Sequence, residues 1–465
     1  MTTITPSPPN DPDPEREPFL RPSSPTLTQT SSSSSSSSSD ATSRHHHPPP
    51  SPTPLPLIAA SMLSFTVLGT MVSTLGVMVP QFESHYALSD LQVSSVFLVW
   101  PVGYVGAAWL NGVVHLRFGQ RGIAALGPFF HIVFAAAAAL HPPFPLLLVA
   151  LAVGSLGTGI LDGSFCAWAG GVENANVVQG FLHGSYSAGA ALGPFLAGTM
   201  LEASHLAWYT WYYVLLGFSI LESIALLVAF RSEDSSKYRS QHNQEDPHPA
   251  TQAEPPTTTP TTTKAIFKHA VTYICAAYFL ACIGTENSVS GWIVVFMTRV
   301  NHASPYLASL SSSGFWIGQA AGRLTLGLVT EKLGVRLATL VYLFAALAFE
   351  ALFAALRLPE LSAVAITLLG FCLGPLFPSG VFMMTRLLPR ELHVGAISFV
   401  VLIGQVGGAL LPFGLGALAE TLGIQVFQVV VFVQLAITLM IWLTFPSLPS
   451  AKAPYTEVRR DSYSQ

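Results

Sequence analysis

Charge is what this sequence has least of. Asp, Glu, Lys and Arg make up 9% of its 465 residues, against about 25% in a soluble domain. Hydrophobic residues make up 51%, and the mean hydropathy is +0.52. A water-soluble protein of this length needs far more charge to cover its surface, so that class is excluded. A basic excess is missing too. The net charge of −4 offers nothing to a polyanion, and no nucleic-acid partner is expected. Cysteine is scarce. Cys166, Cys275, Cys282 and Cys372 all fall inside apolar runs, which predicts no disulfides, and none has the His or Cys neighbours of a metal site. There is no G-x-x-x-x-G-K-[ST] loop, so ATP does not drive the protein directly. No enzyme activity, cofactor or metal is expected. A cleavable signal peptide is not expected either, because the chain stays polar through Pro54.

What is present is apolar runs long enough to cross a bilayer, which takes roughly 20 residues. Twelve can be drawn: 56–79, 93–114, 122–140, 144–166, 178–200, 211–230, 267–297, 306–328, 337–356, 361–385, 393–417 and 424–445. Residues 1–54, rich in Pro, Ser and Thr and holding the serine run Ser31–Ser39, read as a disordered cytosolic N-terminal tail. The first six spans form one bundle, 55–230, and the last six another, 265–446. The polar stretch 231–264 between them reads as a flexible cytosolic linker, and 447–465 as a cytosolic C-terminal tail.

Orientation follows from the basic residues. With both ends in the cytosol, the inner segments carry Arg117, Arg121, Arg231, Lys237, Arg239, Lys332, Arg336, Arg386 and Arg390 among others, and the outer loops only Arg299 and Arg357. The expectation is an integral, multi-pass, monomeric protein with cytosolic termini, in the plasma membrane rather than the vacuole. EREPFL (15–20) has Phe19 where an acidic dileucine sorting signal has Leu.

The two blocks repeat one another. At a shift of 215 residues, Gly103 falls on Gly318, Gly112 on Gly327, Gly119 on Gly334, Arg121 on Arg336 and Gly159 on Gly374. At a shift of 218, SAGAALGPFLAG (187–198) overlays QVGGALLPFGLG (405–416). Two six-span repeats in the same direction suit alternating access, one half rocking against the other around a site near the midplane. Small residues at the helix contacts let the backbones approach closely.

GLVTEKLGVR (327–336) carries Gly327, Glu331, Lys332, Gly334 and Arg336 in the pattern G-x-x-x-[DE]-[RK]-x-G-x-[RK]. On this loop, on its first-half copy GVVHLRFGQR (112–121) with Arg117 and Arg121, and on the Gly-Pro pattern of the fifth span, the chain resembles the major facilitator superfamily. The copy departs from the pattern at Leu116, where the family has an acid. NANVVQGFLHGSYSAGAALGP (174–194), GTENSVSGWIVVF (284–296) and GFWIGQAAGRLTLG (314–327) resemble its fucose-permease-like branch, and within that the fungal bypass-of-stop-codon-type group. The resemblance implies an all-α membrane protein with 12 transmembrane helices in two six-helix repeats, and sugar-like solutes moved with protons. This chain has Cys166 where the subfamily has Asn, Ser187 and Ala188 where it has Gly-Leu, and no carboxylate in its first span.

An ionisable group at membrane depth costs about 2.5–3.5 kcal/mol on insertion scales, so each needs a reason. Asp162 and His183 lie at similar depth on either side of the turn near residue 172. Asp162 reads as a binder of the coupling proton or of a solute hydroxyl, with His183 tuning it; the alternative is that it braces the amides of 164–166. Glu286, about 27 Å from the inner end of the seventh span at 1.5 Å per residue, reads as a solute or proton ligand. It lies in a stretch with Gly284, Asn287, Ser288, Ser290 and Gly291 that is expected to be locally broken, and Trp292 could stack on a sugar face. Gln319 and Gln405 suit hydroxyl recognition or interhelical bonding. Arg323 lies too deep toward the inner end to meet Glu286 and is expected to brace Glu331 as part of a gate. Glu222, Glu350 and His131 read as structural. Prolines in GPLFPSG (374–380) predict a kink.

Together these features predict a proton-coupled secondary transporter of a small neutral polar solute, with solute, protons and the lipid bilayer as its partners. Two alternatives stay open: an exporter of an amphipathic metabolite or drug, and a non-transporting membrane sensor.

Overall fold

The computed structural model describes residues 55–172, 175–204, 206–239, 266–389 and 392–446, and all the regular structure among them is helical. The tails 1–54 and 447–465, with the EREPFL segment, and the linker residues 240–265 lie outside the described residues. Helices lie at all twelve expected spans. The first is Leu55–Ser73 continuing as Leu75–Tyr86. Spans two to six are Asp90–Phe118, Gln120–Ala139, Phe144–Gly170, Ala175–Ser204 and Thr210–Ala229. Spans seven to nine are Ala270–Arg299, Pro305–Leu333 and Val335–Ala355. The tenth is Pro359–Leu373 with Leu376–Leu387, and the last two are His393–Leu422 and Val426–Thr444. Ten of the twelve are long and apolar enough to cross a membrane. The other two, the fifth and the eighth, are the spans that carry His183 and Arg323.

Local chemistry sets several boundaries. Ser89 accepts from the Gln92 amide while the Gln92 side chain accepts from the Ser89 amide, a capping box that starts the second span. Gly119 and Gly334, matched by the 215-residue shift, end the second and eighth spans with φ of +69° and +79°, a conformation that disfavours other residues. The tenth span breaks at Gly374 and Pro375, as its prolines predict. The seventh does not break. It runs unbroken from Ala270 to Arg299, against the expectation for 284–291. Weak local propensity is overridden by packing: Gly284 seats against Leu411 and Gly291 against Phe97, and the helix is buried along most of its length.

The repeat seen in the sequence is also a repeat of contacts. Gly103 closes on Ser155 and Gly318 on Thr367, joining the second span to the fourth and the eighth to the tenth. Gly159 faces Tyr104 and Ala107, and Gly374 faces Gln319 and Gly322, the matching positions at the same shift. In the first half, Glu222 takes a hydrogen bond from Ser64 (2.6 Å) and pairs with His131 (2.9 Å), whose other ring nitrogen meets Thr158 (3.2 Å). Four helices are tied by this fully buried cluster, in accord with its structural reading. Glu350 is equally buried, but neither oxygen has a hydrogen-bond partner among the described residues.

Against the expectation of a flexible linker from Arg231 onward, its first residues are docked on the bundle. The Arg121 amide donates to the Glu233 carbonyl at 2.8 Å. Asp234 accepts from the Ser236 and Lys237 amides and the Ser236 hydroxyl, capping a short helical turn over 235–239. These bonds hold the carboxyl of Asp234 below the usual carboxylate range. A Cβ at Gly119 would collide with the Asp234 backbone.

Candidate functional site

The halves meet along a seam that is tight at one end. The first span runs on to Tyr86 rather than ending at 79, so against expectation it does carry a carboxylate, Glu83. At the tight end, Arg299 pairs with Glu83 and at 2.7 Å with Asp90 of the second span, and the Leu91 amide donates to Glu420. Gly76 presses on the Ser290 backbone, Gly416 on Ser94, and Gly198 of the fifth span on Ser309 of the eighth. Further along the fifth and eighth spans, Arg323 donates to Ser187 at 2.9 Å. Beyond that bond, Gly184, Gly180 and Gly327 have open space around them. These glycines lie toward the end that carries Arg117, Arg121, Lys332 and Arg336.

Four ionisable side chains of the interior, Asp162, His183, Glu286 and Arg323, lie near this level. Arg323 also donates to the Gly374 carbonyl (3.3 Å) and lies 3.8 Å from Glu286. The pairing expected between Arg323 and Glu331 is absent among the described residues, and Glu331 is exposed. The eighth helix runs to Leu333 instead of ending near 328. Arg323 is thus about 15 Å from its inner end, and Glu286 about 24 Å from the start of its own helix. Two long side chains cover the remainder. Neither is sealed off: the side chain of Glu286 is 17% exposed and that of Arg323 23%.

On the facing half, Asp162 accepts from the Tyr104 hydroxyl at 3.3 Å and from the Cys166 thiol at 3.5 Å. It does not hold the amides of 164–166. His183 is its neighbour across the fourth and fifth spans, and Arg323 is a further charge near that imidazole. The His183 ring meets the Phe65 edge at 6.1 Å. Tyr186 sits within electrostatic reach of Glu286, Asp162 and Arg323 together, with its ring against Trp316 of the other half. Gln319 is buried one turn from Arg323, with its carboxamide held loosely by Glu286 and no well-aligned hydrogen bond at either end among the described residues.

Other expected site residues are placed differently. Trp292 cannot stack on a solute here: it is fully buried, donates to the Pro412 carbonyl at 2.9 Å and packs against Phe97. Helical geometry turns it into the contact between the seventh and eleventh spans. Asn287 and Gln405 are half-buried on those same spans, Asn287 against Gly408. Of the loop residues, Arg336 gives its carbonyl to the Trp442 ring nitrogen (3.1 Å), while Gly327 touches nothing and Lys332 is exposed. Sequence reasoning missed Tyr104, Tyr186 and Ser187. Only Ser187 left a signal, as a departure from the Gly-Leu of the resembling group.

Family comparison agrees with this architecture. The family model described as Major Facilitator Superfamily matches residues 61–298 and again 274–461. The chain belongs to the Major Facilitator Superfamily. It is therefore an integral, multi-pass membrane transporter and not an enzyme, and the two matches follow its two repeats. A curated relative, bypass of stop codon protein 6 of Saccharomyces cerevisiae (strain ATCC 204508 / S288c), is 28% identical over 419 residues, covering 86% of this chain and 84% of the relative.

Proposed function

We propose that this transporter moves a small neutral polar solute, sugar- or polyol-like, together with protons by alternating access, with its basic end in the cytosol. The observation that carries the reading is Arg323. It stands between Glu286 of its own half and Ser187 of the other half. While Glu286 is ionised, the guanidinium has an anion to pair with. A proton on Glu286 removes that anion and leaves Arg323 to Ser187 and the Gly374 carbonyl, so the proton alters a contact between the halves. Asp162 and His183 form a second titratable pair on the opposite wall. The solute's hydroxyls are met by the carboxamide of Gln319, which is held only loosely by Glu286 and gains from a hydroxyl of better geometry. Within the Arg323–Glu286 pair the two charges compensate one another, which suits a neutral solute. Lys and Arg asymmetry supports the orientation.

Uptake of labelled hexoses, pentoses and polyols by purified protein in vesicles, with and without an imposed pH gradient, tests this. Glu286→Gln should abolish gradient-driven accumulation and leave solute exchange intact. Unchanged uphill uptake in that variant removes Glu286 from the coupling role, and uptake indifferent to the gradient in the parent protein removes the protons altogether.

A further inference from the structure

At the basic end, a cavity of about 760 Å³ lies between the second, third and sixth spans and the docked start of the linker. Its walls differ in kind. Phe118 and Phe129 are 54% and 53% exposed and Leu227 is 42% exposed, which makes an apolar groove running along the outside of the bundle. Its mouth holds Arg117 and Arg121, with Asp234 beside them. Neither arginine has a carboxylate within ion-pair distance among the described residues. Arg117 lies over the Phe118 ring, and Arg239 reaches the same loop at the Leu116 carbonyl. The acid that would neutralise this loop is missing, because position 116 is Leu.

We propose that this cavity is a binding site for an anionic phospholipid of the leaflet facing the basic end. Arg117 and Arg121 hold the phosphate and an acyl chain lies along Phe118, Phe129 and Leu227. Two guanidiniums set against a single carboxylate, Asp234, at the edge of a hydrocarbon-facing groove match an anionic head with an apolar tail, and match neither a soluble anion nor a neutral lipid as well. Asp234 opposes the head and sets a ceiling on affinity. It also ties occupancy to the linker, because the segment that carries it forms one wall.

Native mass spectrometry of the purified full-length protein, titrated with phosphatidylserine and with phosphatidylcholine of the same chains, reads the site directly. A preference for phosphatidylserine of about fivefold per arginine, roughly twenty-five-fold for both, is expected. Arg117→Gln combined with Arg121→Gln should abolish it and leave phosphatidylcholine retention unchanged. Asp234→Asn, which keeps the capping geometry, should tighten phosphatidylserine, so a folding defect in the double variant leaves the proposal testable. Equal retention of both lipids by the parent protein overturns it, as does an Asp234→Asn variant that binds no better. Capture of added inorganic phosphate with no lipid preference, or a covalent phosphate on Ser235 that survives denaturation, overturns it by assigning the arginines to another phosphate.

Discussion

Removing Arg299 should release the tight end of the seam. Among the described residues Arg299 is the single cation paired with two acids of the other half, Glu83 and Asp90, whose side chains are 7% and 14% exposed. Breaking a fully buried pair costs about 3–5 kcal/mol, because the surviving charge is stranded. An exposed pair is worth about 0–1 kcal/mol. The Arg299 side chain is 42% exposed, so water screens it and the sum falls to about 1–2 kcal/mol. That energy is present only while the halves touch, so it acts wholly on the equilibrium between closed and open at this end. At 1.4 kcal/mol per factor of ten, Arg299→Ala shifts that equilibrium by about 5–30-fold. The readout is a cysteine in the seam, Ser309→Cys against Gly198 or Ser94→Cys against Gly416, labelled with a membrane-impermeant maleimide. Labelling in the Arg299→Ala background should accelerate by that factor, and Arg299→Lys should recover part of the closure. Equal rates with and without Arg299 would refute the view that the ion pairs hold this end shut.

Three further outcomes follow from particular contacts. Gly318→Ala places a methyl group against the Thr367 carbonyl and should lower stability by about 1–3 kcal/mol. Gly327→Ala, on the same helix but with nothing nearby, should leave it unchanged or raise it by up to about 1 kcal/mol; thermal unfolding in detergent separates the two signs. His131→Ala removes one of the two hydrogen-bond partners of the fully buried Glu222 and should destabilise by about 1–3 kcal/mol, whereas Glu222→Gln keeps an acceptor for Ser64 and should be milder by the same thermal measurement. Asp234 has its carboxyl held below the ordinary value of 3.8 by its hydrogen bonds. Docking of 231–239 should therefore persist from neutral pH down to about pH 4 and weaken as pH falls through the lowered value. Amide hydrogen exchange at 235–239 checks this.

How far the fold could be read from the sequence depended on the signal. Apolar runs report membrane rods well because hydrocarbon tolerates little else over that length, and helices stand at all twelve. The glycine repeat reported more than helix count. Gly103 and Gly318 were matched as letters, and they prove to be matched as contacts, each opening a close approach to the partner two spans away. Polar composition is a weaker signal. The glycines and serines around Glu286 suggested a broken helix, but Gly284 and Gly291 are there to admit neighbouring side chains, and packing keeps the helix whole. In the same way the polar letters from Arg231 suggested a free strand of linker, while Asp234 and a backbone bond to Arg121 seat its first residues.

The site was half legible for a physical reason. A charge in an apolar run stands out, so Asp162, His183, Glu286 and Arg323 could be picked from the letters. Their partners could not, because Tyr104, Tyr186 and Ser187 look like ordinary packing residues until three dimensions bring them to a carboxylate or a guanidinium. Reasoning from backbone depth also fails for long side chains. About 9 Å of rise separates Glu286 from Arg323 along the bundle, and the two side chains close it to 3.8 Å. That reach matters for the proposed coupling. A short side chain at 323 would serve one half alone. An arginine there touches the acid of its own half and the hydroxyl of the other at once, so whatever changes the acid is felt across the seam. Arg323→Lys, which keeps the charge but lacks the guanidinium fork, should therefore retain Glu286 as a partner and lose Ser187. Solute accumulation in vesicles should then uncouple from the pH gradient while exchange continues. Full coupling in Arg323→Lys would show that the bond to Ser187 carries nothing between the halves.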